Sequence, residues 1–155
     1  MIKEAIKNRL KIVAKLDETK LLKSALSDKD LQDEITRMNT QDQLYELGID
    51  SKGNSLGEYS HATIYGTKKY EGKIQKGQRY DHITLSDTFR FYNSFKVKVQ
   101  SDGGFVISAK TDKGGGDDLA RNYGQDILGL TQENLGYVRM EVKKSITKEI
   151  RKKLS

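Results

Sequence analysis

The chain has no cysteine, no proline and no tryptophan, and only two histidines among its 155 residues. Without cysteine, disulfides and thiolate metal sites are excluded outright. His61 and His82 lie far apart and lack an evident set of ligand partners, which argues against zinc. No apolar run approaches the ~20 residues that a membrane span requires. The opening Met1-Ile2-Lys3-Glu4 lacks the unbroken apolar core of a signal peptide. The expected setting is a cytoplasm, or a particle assembled there, with no membrane partner and no cofactor. Apolar residues are also scarce, at 35% against 32% charged. That is lean for a globular monomer and fits a domain that completes its burial against partners. The apolar residues still cluster periodically, so the chain is not read as disordered.

The formal net charge is +6, and its position says more than its size. Residues 1–48 carry nine basic and nine acidic side chains, and residues 49–141 carry thirteen and twelve. The excess sits in 142–155, where Lys143, Lys144, Lys148, Arg151, Lys152 and Lys153 face only Glu149. A nucleic-acid footprint spread over the fold would look different. Cations on the last turns of a helix also complement its dipole, so this cluster has a purely structural explanation as well.

Periodicity gives an α+β fold: an N-terminal helix pair, a long loop, and a small antiparallel β-sheet packed by a long C-terminal helix. Ile2, Ile6, Leu10, Val13, Leu16, Leu22 and Leu26 recur at helical steps and predict one amphipathic helix over 2–26. Ser27 reads as the N-cap of a second helix, with Leu31, Ile35, Met38 and Tyr45 as its buried stripe and Gly48 as its stop. Together these form an N-terminal helical arm, 1–48. The remainder, 49–155, reads as an α+β domain. Its first part, 49–84, is glycine- and tyrosine-rich and reads as a long loop, functional or ordered by a neighbour. A short helix capped by Ser86 or Asp87 is expected over 86–94. Strands at 95–99 and 105–109 flank the turn Ser101-Asp102-Gly103-Gly104, and the hairpin needs a covering helix to be stable. Thr111 to Gly116 reads as a flexible hinge. A short helix closed by Gly124 follows, and Thr131 opens the last helix with the stripe Leu135, Val138, Val142, Ile146 and Ile150. The expected core is Leu85, Phe91, Phe95, Val97, Val99, Val106, Ile107, Leu128, Leu130, Leu135, Val138, Val142 and Ile146.

Candidate chemistry is sparse. Asp50-Ser51-Lys52-Gly53-Asn54 has one carboxylate where a calcium loop needs several, and reads as a turn. Lys113-Gly114-Gly115-Gly116 lacks the spacing of a phosphate-cradling loop. Asp81-His82, with Asp87, could supply an acid–base pair to a small hydrolase or nuclease, but no serine or cysteine stands at a strand-to-helix elbow. Tyr59, Tyr65, Tyr70 and Tyr80, interleaved with Lys68, Lys69 and Arg79, combine rings and cations as nucleic-acid surfaces do. The same mixture anchors protein interfaces, and Glu58, Glu71 and Asp81 dilute the positive field. These residues, with Arg121 and Lys152, are the candidate interface set. No catalytic or metal-binding residue is assigned. The alternative is a nucleic-acid-binding module built from the basic C-terminal helix and the Tyr/Lys loop.

Three short signatures occur in fixed order: Gly48-Ile49-Asp50-Ser51-Lys52-Gly53, then Leu85-Ser86-Asp87-Thr88-Phe89-Arg90-Phe91-Tyr92-Asn93-Ser94, then Ala120-Arg121-Asn122-Tyr123-Gly124 with Ile127-Leu128-Gly129-Leu130-Thr131. All carry turn, cap and packing chemistry rather than reactive groups. With Leu56, Tyr59-Ser60 and Thr63 between the first two, their order over residues 45–154 resembles the phage virion-morphogenesis family, the tail-completion or head–tail joining proteins. Phe89 stands where that family usually has glycine, and Asp126-Ile127 where it has Arg-Pro. The resemblance implies a non-enzymatic virion structural protein, assembled in the host cytoplasm. It would form a homo-oligomeric ring at the tail end or neck, against portal, connector or tail-tube proteins, with packaged DNA as a possible contact.

Overall fold

The computed structural model describes residues 1–155 and shows an α+β protein of seven α-helices, one π-helix and two small antiparallel sheets. The helix expected over 2–26 is two helices, α1 (Ile2–Ala14) and α2 (Glu18–Leu26). The break falls at Lys15–Asp17. Asp17 is extended and its carboxylate accepts the Lys20 amide at 3.2 Å, so it restarts the helix as an N-cap. Ser27 closes α2, and Asp28 rather than Ser27 caps α3 (Lys29–Arg37), accepting the Leu31 amide at 3.0 Å. α3 runs without interruption into a π-helix, Met38–Leu47, which Gly48 ends in the left-handed conformation. A Cβ on Gly48 would come within 2.4 Å of the His82 ring, so both backbone and space demand glycine there.

Residues 49–84 hold little regular structure and are mostly exposed, yet hydrogen bonds tie them together. Ile49 and Ser55 form an isolated bridge, closing the turn in which Asp50 Oδ1 accepts the Lys52 and Asn54 amides, each at 2.9 Å. The helix α4 (His61–Tyr65) receives the following segment, through the Lys73 amide on the Thr63 carbonyl and the Ile74 amide on the Ile64 carbonyl. The helix expected over 86–94 shrinks to α5 (Arg90–Asn93). Leu85 and Phe89 both take positive φ, and neither Ser86 nor Asp87 caps α5; Phe89 holds the N-cap position. The strands β1 (Lys96–Val99) and β2 (Phe105–Ser108) pair in register, Val97 opposite Ile107 and Val99 opposite Phe105. The expected hinge at 111–116 is instead part of a second hairpin, β3 (Asp112–Gly114) with β4 (Asp117–Asp118). α6 (Leu119–Tyr123) follows, capped by Asp118, whose carboxyl the Arg121 amide holds below its ordinary value. Thr131 then caps α7 (Gln132–Leu154), accepting the Asn134 amide.

Two hydrophobic clusters share the sheet β1–β2. One joins Ala25, Leu26, Ile35 and Met38 to Leu130, Val138 and Val142; the other joins Leu44, Leu85, Phe91, Tyr92, Phe95, Leu119 and Ile127. Both draw on residues on either side of position 48. Each fully buried aliphatic here contributes about 1.5–3 kcal/mol relative to exposure. Of the core expected from sequence, Leu85, Phe91, Phe95, Leu130, Val138 and Val142 are buried and Val97, Val99, Ile107, Leu128, Leu135 and Ile146 pack partly. Val106 does not belong to it: it is 42% exposed, on the outward face of β2.

Candidate interface site

The segment that places the candidate residues is held first by polar contacts in the core. Asn39 and Gln43, one step apart on the π-helix and buried, clasp the chain at 127–134. Asn39 Nδ2 donates to the Ile127 carbonyl at 3.1 Å, and the Gly129 amide donates to Asn39 Oδ1 at 2.8 Å. Gln43 Nε2 donates to the Gly129 carbonyl at 2.9 Å, while Gln43 Oε1 accepts from the Thr131 amide at 2.9 Å and Asn134 Nδ2 at 2.8 Å. The Ser51 amide reaches the Asp126 carbonyl at 2.8 Å, and Lys52 pairs with Asp126 at 2.7 Å, which raises the Lys52 pKa. The first and third signatures are thereby fastened together. The second enters the same cluster through Leu85, Phe91 and Tyr92, whose phenol donates to the Thr84 carbonyl and is pushed up in pKa by burial. No buried side-chain polar atom lacks a partner.

Outside this clasp, Arg79 anchors the loop. Its guanidinium donates to both Asp81 carboxylate oxygens, at 2.8 and 3.2 Å, and to Glu46 at 2.8 Å, and lies 5.6 Å from the Tyr45 ring centre. Arg79 holds the Asp81 carboxyl down to about 2. His82 is wedged under Gly48, with Nε2 on the Tyr45 carbonyl at 2.8 Å and Nδ1 3.3 Å from Asp81. The Asp81–His82 pair is thus formed, while Asp87 lies apart from it, its carbonyl accepting from Gln78 Nε2. No group of three or more His, Asp or Glu side chains is placed to hold a metal ion, and no helix is long and apolar enough to cross a membrane.

The loop, the second hairpin and α6 surround a cleft of about 410 Å³. Tyr59 and Tyr70 line it, with Lys73, Lys113, Asn122 and Tyr123. Lys73 is only 7% exposed; its ammonium sits 4.4 Å from the Tyr59 ring centre and 3.3 Å from Gln78 Oε1. A cation over a ring face is attracted by the ring quadrupole, which offsets part of the cost of burying it. The Tyr59 hydroxyl in turn accepts from the Thr84 amide at 3.0 Å and lies 3.2 Å from Thr84 Oγ1. Lys69 lies 5.3 Å from the exposed Tyr70 ring. Tyr65 does not line the cleft; its ring centre lies 4.4 Å from that of His61, the rings tilted by 35°. Lys68 and Tyr80 are exposed, and Arg121 reaches the Gly116 carbonyl at 3.3 Å. Lys152 is on the last turn of α7, outside this surface.

The structure therefore brings Tyr59, Tyr70 and Lys69 to one surface, gives Arg79 an internal role, and leaves Lys152 elsewhere. Sequence reasoning missed Asn39 and Gln43. Their signal was their position: both continue the four-residue steps of Ile35 along the buried stripe, where polar side chains need built partners. No family model, curated protein or solved structure matches this chain.

Proposed function

We propose that this chain is a structural subunit of a phage virion that joins or terminates the tail or neck, acting as one member of an oligomeric ring against portal, connector or tail-tube proteins. The observation that carries the reading is the amount of apolar and aromatic surface left open on a chain that buries only 25 of its 155 residues. Ile2, Leu10, Tyr70, Ile74, Phe89 and Val106 are among the large apolar side chains exposed to solvent. Surface of this kind is the raw material of subunit contacts. A ring needs such contacts on two different faces of each subunit, closing by rotation. The virion assignment rests on the resemblance, and one detail supports it. Phe89 stands at the usual glycine position and has φ +56, the left-handed region that glycine enters freely.

The test is the mass of the purified full chain by light scattering, together with imaging of particles made without it. A closed species of fixed copy number, and tailless heads or unfinished tails, are expected. A chain that stays monomeric at every concentration reached, or normal infectious particles without it, would remove the proposal. A second reading has its own observation: Lys143, Lys144, Lys148 and Arg151 line one groove of α7 with Met140 and Thr147. If that groove holds DNA, binding will fall steeply with salt, because neutralised phosphates release counterions.

A further inference from the structure

We infer that the cleft between the loop, the hairpin β3–β4 and α6 binds a carboxylate, with the Lys73 ammonium as its counter-ion. The site stands whether or not the chain is a virion subunit. Lysine is almost never fully buried without a paired charge. Lys73 is 7% exposed and lines the cleft, yet it enters no ion pair. Its two partners are neutral: the Tyr59 ring, centred 4.4 Å from the ammonium, and Gln78 Oε1, which accepts one N–H at 3.3 Å. An ammonium carries three N–H donors and a full charge. A ring face and one amide oxygen answer only part of either.

The backbone holds Lys73 in this position. Gly72 packs on Gly66 so closely that neither has room for a Cβ. The Lys73 amide donates to the Thr63 carbonyl at 2.9 Å, and the Lys73 carbonyl accepts the Gln78 amide at 2.9 Å. Gln78 is fixed in turn, because its Nε2 donates to the Asp87 carbonyl at 3.1 Å and so leaves Oε1 turned to Lys73. Cation, ring and amide are set before any ligand arrives, which lowers the ordering cost of binding. Leu85, on the same wall, is buried at φ +58, and backbone strain of this kind collects at ligand sites.

Charge sets the class of ligand. Lys73, Lys76 and Lys113 line the cleft against Glu71, Asp87 and Asp117, so its formal charge is zero. None of these six side chains enters an ion pair, and all but Lys73 are exposed. The enclosed part of the cleft therefore lacks one negative charge and no more. A carboxylate supplies it. A phosphate ester, at about −1.5 to −2, would oversupply it beside three carboxylates of the same cleft. A nucleic-acid strand, with a charge on every nucleotide, fares worse. Ile83, Leu85 and Leu119 add apolar wall, and Tyr70 and Tyr123 add rings to that of Tyr59. The carboxylate is accordingly carried on an apolar or aromatic body. At about 410 Å³ the cleft has the size of a small-ligand site.

The test uses the full chain with labelled isoleucine and leucine methyl groups, so that Ile83, Leu85 and Leu119 report by nuclear magnetic resonance from the wall itself. Benzoate is the probe, benzyl alcohol its neutral control, and inorganic phosphate the second anion. Saturable shifts of these methyls by benzoate are expected, with a Kd of about 1–10 mM for so small a ligand, and none from benzyl alcohol over the same range. Lys73→Met should weaken benzoate by about tenfold or more, since a hydrogen bond to a charged group is lost; Lys76→Met and Lys113→Met should bind as the unmodified chain does. The comparison among ligands needs no variant, so it decides even where Lys73→Met does not fold. No saturable shift, equal shifts from benzyl alcohol, or benzoate held equally by folded Lys73→Met would show that Tyr59 and Gln78 complete Lys73, and would overturn the inference. Phosphate bound more tightly than benzoate would overturn the carboxylate assignment. Light scattering with and without benzoate then names the source of the carboxylate, and either result upholds the site. Dissociation of a self-associated chain assigns it to an Asp or Glu side chain of a sister copy, and an unchanged mass assigns it to a free small carboxylate.

Discussion

Replacing Gln43 by alanine removes a side chain that is 1% exposed and makes three hydrogen bonds to the segment opening α7. The Gly129 carbonyl, the Thr131 amide and Asn134 Nδ2, all on half-buried residues, lose a partner. An orphaned buried polar group costs about 1–3 kcal/mol, and water entering the vacated space recovers part of that. At the low end for each group, the loss is about 3 kcal/mol, a large share of the ~5–15 kcal/mol that holds a domain folded. For a chain of this size it corresponds to a fall in Tm of about 6–12 °C. The assay is thermal and urea unfolding followed by circular dichroism, at one fixed protein concentration so that self-association does not shift the midpoint. The exposed neighbour Gln132→Ala is the control and should change little. Asn39→Ala and the double variant complete a cycle. Because both side chains grip Gly129, the two losses should not add. A Gln43→Ala loss below about 1 kcal/mol, within the range of an ordinary surface change, would refute the claim that this clasp fixes the third signature to the core.

Three further outcomes follow from local geometry. Gly72→Ala would put a Cβ 2.2 Å from the Gly66 amide nitrogen and 2.4 Å from the Ile64 carbonyl oxygen, so residues 61–78 should lose hydrogen-exchange protection while α3 and α7 keep theirs; uniform protection would count against it. Phe89→Gly should relieve left-handed strain of about 1 kcal/mol, partly offset by the lost edge contact with Tyr92, and so leave thermal stability equal or raised; a clear fall in Tm would mean that the ring matters more than the backbone. Asp81 has a folded pKa of about 2, below its ordinary 3.8, so its stabilising effect is complete above the ordinary value and disappears as pH falls through the folded one. Asp81→Asn should therefore flatten the acid limb of a Tm-versus-pH curve between those values, and an unchanged limb would show that Arg79 does not hold it.

Much of the fold was legible because it obeys simple periods. The stripe of α7, its Thr131 cap, the alternation of β1 and the Ser101–Gly104 turn are all local rules that tertiary contacts did not override. Where the reading failed, a side chain had two roles open to it. Asp17 sits mid-pattern in an apolar period of four, and only its extended backbone shows that it caps a new helix. Ser27 and Asp28 are both good caps, and the structure used Ser27 to close one helix and Asp28 to open the next. The 111–116 run has three glycines and no apolar residue, so composition pointed to a hinge. Its order comes from side chains instead: Thr111 Oγ1 donates to Asp118 at 3.0 Å, and the Gly114 amide donates to Asp112 at 2.7 Å.

The candidate surface was less legible than the core, for a physical reason. Tyrosine and lysine at a loop position are equally suited to face inward or outward, since each has an apolar body and a polar tip. Sequence treats Tyr59, Tyr70 and Lys73 alike, yet burial separates them: Lys73 is enclosed and placed over Tyr59, while Tyr70 stays in solvent beside Lys69. Arg79 illustrates the same ambiguity in charge. An arginine in a polar loop suggests an anchor for a partner, but here two carboxylates from its own chain occupy its fork, leaving less of it for a neighbour. α1 is the converse case. Its apolar stripe and its cations read from sequence as an ordinary half-buried helix, because periodicity reports which face is buried and says nothing of which chain buries it. That face stays exposed and no residue of α1 is buried, so burial within its own chain does not account for the periodic pattern of α1.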